Sequence, residues 1–149
     1  MPLRCATALF GHFGIEWDIT EATDEELSEL AAWVGLYKRH RDLVHTGRMV
    51  RVDTPDDTAW MYGVVAADKS VALMSYVQLD RPRNNQPTAM RIPGLDPRRR
   101  YQLSDVTPGG RIEAGFPSAQ VSGAALTEIG LAVAPQQVLT ATVILVEAR

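Results

Sequence analysis

Two carboxylates, Glu16 and Asp18, close the phrase Phe10–Asp18 (FGHFGIEWD). On a strand, residues two apart share a side. Paired carboxylates on one side can act as acid and base in glycoside hydrolysis, where a retaining pair stands ~5–5.5 Å apart. The competing reading is structural: Asp18 stabilises a strand-to-helix turn and Glu16 is solvated or paired. His12, His40 and His45 raise metal ligation. However, His40 and His45 are spaced i, i+5 rather than i, i+4, no HExxH occurs, and Cys5 is the sole cysteine, so neither a metal nor a cofactor is expected. No GxSxG elbow, Walker loop or GxGxxG is present. Thr107-Pro108-Gly109-Gly110 reads as a hairpin tip rather than a phosphate cradle. Arg81, Arg83, Arg91 and Arg98–Arg100 could grip an anion, but the prolines and asparagines among them suit a solvated loop face. Trp17, Trp33, Trp60, Tyr62 and Tyr76 could stack on sugar rings, with core packing the competing reading for each. Trp60 and Tyr62 alternate on a β-prone run and so share a face.

These residues need elements to position them. Phe10–Asp18 mixes aromatics, Ile15 and two glycines, and reads as a strand or strand end with a close approach at Gly11 and Gly14. Thr23 with Glu26 three residues later forms a capping box. Asp24, Glu25, Glu26 and Glu29 follow at the start, Lys38, Arg39, His40, Arg41 and His45 at the end, a gradient that complements a helix dipole. Leu27, Leu30, Val34, Tyr37 and Val44 recur at helical spacing with Trp33 widening the stripe, and Gly47 suits a helix end. A helix over 24–45 is expected.

From Arg48 the period changes. Met49–Asp53, Ala59–Ala67, Val71–Leu79, Ala89–Ile92, Tyr101–Val106 and Val138–Glu147 are β-prone runs. Turn clusters at Thr54–Asp57, Asp68-Lys69, Arg81–Pro87, Pro93–Pro97 and Thr107–Gly110 separate them. Strands at this spacing without intervening helices imply an antiparallel β-sandwich. Ser122–Gly130 has a helical look at Ala124, Ala125 and Glu128, but Gly123 and Gly130 bracket it closely for a stable helix.

Length and composition bound the rest. At 149 residues with 46% hydrophobic and 22% charged residues, the chain suits one ordinary folded domain, or one domain with an attached piece. A net charge of −3 argues against nucleic acid or an anionic membrane as the main partner. The single cysteine and the lack of a long apolar run point to a reducing, cytoplasmic setting. Residues 1–46 carry eight acids and four bases, whereas 47–149 carry ten and eleven. All prolines but Pro2 follow Asp53. Two differently built segments therefore join near Gly47.

Three phrases together resemble one family. RCATALFGHFGIEWDIT (Arg4–Thr20), LAAWVGLYKRHRDLVHTGRMVRVD (Leu30–Asp53) and SGAALTEIGLAV (Ser122–Val133) are similar, in order, to the C-terminal end of bacterial α-galactosidases of glycoside hydrolase family 36. That resemblance implies a mainly β chain with one long N-terminal helix. Residues 1–46 would be the last strand and helix of a (β/α)₈ catalytic barrel, and 47–149 a C-terminal antiparallel β-sandwich domain. Members cleave terminal α-galactosyl units with retention, using two aspartates from earlier barrel strands. Neither aspartate has a counterpart here, so Glu16 and Asp18 are not that pair, and no catalytic residue is assigned. The resemblance implies that Gly14, Glu16 and Asp18, at the strand end, could line the sugar pocket of a complete enzyme. An α-galactoside is then a partner only of the complete enzyme, and the isolated chain is expected to be inert. The alternative is a stand-alone module binding carbohydrate or a partner protein. A lone barrel strand and helix would leave Leu9, Phe10, Phe13, Ile15 and Trp17 without neighbours, to be covered by docking on the sandwich or by homo-oligomer formation.

Overall fold

A computed structural model describes residues 2–53, 57–83, 87–109, 120–134 and 136–149. Residues 54–56 of the expected Thr54–Asp57 turn, the middle of the Arg81–Pro87 loop and Gly110 lie outside the described residues.

The chain opens with a helix, α1 (Pro2–Ala8), and a 3₁₀ turn (Ile19–Glu21) precedes the long helix α2 (Asp24–Thr46). The strands are β1 (Arg48–Val52), β2 (Ala59–Val65), β3 (Val71–Gln78), β4 (Thr88–Met90), β5 (Arg100–Asp105), β6 (Val121–Ser122), β7 (Leu131–Val133) and β8 (Thr140–Ala148), with a short helix α3 (Gly123–Glu128) after β6. Six strands form one antiparallel sheet in the order β1-β2-β3-β8-β5-β6, while β4 and β7 pair as a two-stranded ribbon. The six expected β-runs all became strands, with ends shifted by a few residues. The Asp68-Lys69 hairpin closes β2 onto β3: Lys69 takes the left-handed conformation (φ 60°), and Asp68 Oδ1 accepts from Ser70 N (3.0 Å) and Ser70 Oγ (2.7 Å).

The large sheet is covered on both faces, which is why β3 reads VALMSYVQ with little polar alternation. On one face Ala72, Met74, Tyr76, Ile144 and Val146 meet Met90, Ile92, Leu126, Leu131 and Val133 from the ribbon, the loop after it and α3. On the other, Leu73, Val77 and Val143 meet Ala6, Leu9, Phe10, Trp33, Leu36 and Val44 from the N-terminal segment. The arrangement is three-layered: helices, sheet, then ribbon plus α3. Among the described residues the second sheet is a ribbon of two short strands, where a sheet-on-sheet sandwich was expected.

Three other expectations change. Phe10–Asp18 is not a strand: it runs as irregular chain after α1 and pairs with no strand among the described residues. A strand needs a ladder partner, and none lies beside it. Pro2 at the first helical position was the overlooked sign of α1. The inward face of α2 carries Trp33, Leu36 and Val44 with Leu30 and Tyr37 packed beside them, so the expected stripe is met except that Leu27 stays exposed and Leu36 is added. Residues 123–128 do form a helix, capped by Ser122 Oγ accepting from Ala125 N (3.2 Å). Gly123 is there for clearance, since a Cβ would run into the Asp96 carbonyl. Gly130, with φ +89°, ends the turn in a conformation that favours glycine.

Candidate functional site

The capping box supplies one fixed edge of the N-terminal cleft. Thr23 Oγ1 accepts from Glu26 N (3.2 Å), and Glu26 Oε2 accepts from Thr23 N (3.0 Å). Helix α2 thus starts at a defined point, and Glu26 and Leu30 face the cleft. Helix α1, held to the sheet by Ala6 and by Leu9 just after it, supplies the opposite wall with Arg4, Cys5 and Ala8. The segment between them contributes Phe13, Gly14, Ile15, Glu16 and Trp17. The cleft measures about 460 Å³. Phe13 is held by stacking on Tyr37 (centroids 5.5 Å apart), and Tyr37 Oη lies 2.9 Å from His45 Nε2.

Glu16 and Gly14 therefore line the cleft, whereas Asp18 does not. Asp18 caps the 3₁₀ turn, accepting from Thr20 N (3.0 Å) and Thr20 Oγ1 (2.6 Å). The Thr20 hydroxyl, then the Thr20 amide, holds its carboxyl below the usual aspartate range. Glu16 makes no hydrogen bond or ion pair among the described residues. Asp18 is engaged in capping while Glu16 lines the cleft, which agrees with the turn-stabilising reading of Asp18. Exposed aromatic and apolar side chains (Trp17 41%, Ile15 46%), one arginine and two glutamates form the walls. Cys5 lies in the wall, and burial first, then Glu29, pushes its thiol up, away from the reactive thiolate. The readable signal for Arg4, Cys5 and Ala8 was helical spacing after Pro2.

The histidines divide. His12 packs against His45 (centroids 5.1 Å), and His40 sits half-buried on the inner stripe of α2. Burial, then Arg39, lowers the His40 pKa below its usual value. No group of three or more metal-ligating side chains exists among the described residues. The arginine stretch serves turns: Arg99 Nη1 donates to Asp68 O (2.9 Å), Arg100 Nη2 to Gln120 O (2.6 Å), and Arg83 Nη2 pairs with Asp57 (2.9 Å). Of the aromatics, Trp33, Tyr76 and Tyr101 are core. Tyr62 packs edge-on against Phe10 (5.1 Å), and Trp60 is 55% exposed. No helix among the described residues is long and apolar enough to cross a membrane.

Comparison with known proteins gives a consistent result. Residues 57–146 match the family model described as glycosyl hydrolase family 36 C-terminal domain, and residues 1–47 match melibiase. The alpha-galactosidase of Escherichia coli is 43% identical over 103 residues, covering 69% of this chain and 14% of that protein. Alpha-galactosidase AgaA of Geobacillus stearothermophilus is 35% identical over 106 residues, with the same coverage of 69% and 14%. The crystal structure of the alpha-galactosidase from Lactobacillus brevis superposes with a TM-score of 0.83 at 28% identity, over 98% of this chain and 20% of that one. AgaA in complex with raffinose superposes with a TM-score of 0.81 at 26% identity, over 98% and 19%. The chain thus spans about one seventh of the length of these sequence relatives.

Proposed function

The chain belongs to glycosyl hydrolase family 36, and we propose that it works as the C-terminal part of a retaining hydrolase acting on terminal α-galactosyl residues. It corresponds to the C-terminal region of the family's α-galactosidases. The observation that carries the proposal is a conformation shared with α-galactosidase structures over 98% of this chain while only 20% of the neighbour is covered. In this reading residues 1–46 are the last β/α unit of a catalytic barrel and 47–149 the β-sandwich domain behind it. One family match ending at residue 47 and another starting at 57 support the division. Phe10–Asp18 would become a strand only when barrel strands stand beside it to complete the ladder. Gly14, Glu16 and Asp18 would form the strand-end wall of the sugar pocket: Gly14 giving close backbone approach, Glu16 accepting from a sugar hydroxyl, and Asp18 holding the turn that aims it. The setting is cytoplasmic.

Alone, the chain is inert, because no residue of it occupies the positions of the family's two catalytic aspartates. Purified chain is expected to leave p-nitrophenyl α-galactoside unhydrolysed; turnover that Glu16→Gln removes would overturn this. The reading is tested positively by a chimera in which this chain replaces the matching C-terminal part of the Escherichia coli relative. A folded chimera that hydrolyses the galactoside is expected. A folded but dead one would count against the assignment.

A further inference from the structure

The helix-side face of the sheet is not fully covered. Helix α1 and the N-terminal segment shield Val64, Leu73, Val77 and Val143, but the cover stops short of the end of β2. In the antiparallel register Arg51 faces Tyr62 and Met49 faces Val64, so Met49 and Arg51 on β1 lie on the same face as Trp60 and Tyr62 on β2. Trp60 and Met49 are about half exposed, at 55% and 49%. The indole sits between two clefts. One, of about 370 Å³, is walled by Thr7 and Leu79 with Met49 and Tyr62; the other, of about 360 Å³, brings Asp53 and Asp57 alongside Arg51. Arg51 and Trp60 belong to both.

We propose that this platform is a saccharide-binding site, separate from the N-terminal cleft, with Trp60 as the stacking plate. A rigid indole on a paired strand offers a flat apolar surface with little side-chain entropy left to lose. The C–H face of a pyranose matches it. The hydroxyls that remain need both donors and acceptors, which Arg51, Asp53 and Asp57 supply at the plate's edge. Charge decides against an ionic ligand. The carboxylate of Asp57 is paired with Arg83 at 2.9 Å, and Arg51 lines the same cleft as Asp53, so the rim carries both signs and suits an uncharged molecule. The large apolar side chains exposed here are one tryptophan and one methionine, a small anchor for a protein partner that needs ~800 Å² per side. The N-terminal cleft shares no lining residue with either of these clefts, so binding at one is told apart from binding at the other.

The three tryptophans allow the site to be located directly. The 149-residue chain is titrated with methyl α-galactoside and with raffinose while the three indole N–H signals are followed by NMR. Saturable movement of the Trp60 signal is expected. Trp60→Ala is expected to weaken binding about tenfold or more, equivalent to ~1.4 kcal/mol, and Trp60→Phe to stay within about threefold of the parent. Trp17→Ala is expected to change nothing. Saturation seen only at Trp17, or no saturable shift at any indole, overturns the proposal. So does competition by inorganic phosphate, which would mean an anion site. A concentration-dependent dimer, seen by sedimentation and abolished by Trp60→Ala without any sugar effect, also overturns it by making the face a contact between copies.

Discussion

Asp18 shows how a chemically suggestive residue can be spent on geometry. Its carboxylate is used by the Thr20 hydroxyl and amide, and the same device recurs at Asp68 with Ser70 and at Asp105 with Thr107. Hydrogen bonds from Ser70 hold Asp68 low, and the Arg98 amide holds Asp96 low. A carboxylate depressed in the fold contributes stability above its unfolded pKa and loses it as pH falls through the folded one. Denaturant midpoints are therefore expected to fall below about pH 4, the range of free aspartates. Thr20→Val should raise the Asp18 midpoint toward the ordinary value in an NMR titration of its carboxyl carbon; an unmoved midpoint would refute the capping account. Trp33 makes the opposite case. It is fully buried, and its Nε1 meets no acceptor among the described residues. Trp33→Ala is expected to cost ~3–5 kcal/mol through the cavity left behind. Trp33→Phe should cost much less, because losing an unpaired buried donor returns ~1–3 kcal/mol. Urea unfolding of the two variants gives the comparison.

At the scale of elements, helix α2 was legible almost to the residue: its capping box and its charge gradient are both local signals, and expected 24–45 became Asp24–Thr46. Thr23→Ala is expected to lower stability by about 1 kcal/mol, read from thermal or urea unfolding. The inward face of α2 was legible through Trp33, Val44, Leu30 and Tyr37, but not that Leu36 is taken into the core and Leu27 left out. The sheet surface beneath it made the choice. Helix α3 failed for a related reason. Glycine was weighed as a helix breaker, while its real role is to let the chain pass the Asp96 carbonyl, a contact twenty-seven positions away in sequence. Gly123→Ala is expected to destabilise by ~1–3 kcal/mol through overpacking despite alanine's better helix propensity; a more stable variant in calorimetry would refute the clearance argument.

For the molecule as a whole, the N-terminal segment is half satisfied. Leu9 and Phe10 are buried on the sheet, as docking required, but Ile15, Trp17, Ile19 and Leu27 remain exposed. Self-association through that face is a proposal with a specific signature. Residues 5–37 hold seven acids and no lysine or arginine. Two copies meeting there repel one another, and added salt screens the repulsion. Sedimentation is expected to show more dimer at high ionic strength than at low, and Trp17→Ser to reduce it. Dimerisation that weakens with salt would refute this face as the contact.

By itself the sequence determined the family, the long helix with its caps, the position of most strands and the change of character near Gly47, because each rests on neighbours within a few residues or on a run of matching phrases. Tertiary structure alone decided three things. It left Phe10–Asp18 without a ladder, since a strand exists only where another lies beside it. It used Asp18 to cap the 3₁₀ turn and left it out of the cleft that Glu16 lines, since sharing a side depends on strand periodicity that the segment does not have. And it left Trp60 in the open while burying Trp33, since exposure follows from where the covering helix stops and not from the residue's own preference for the core.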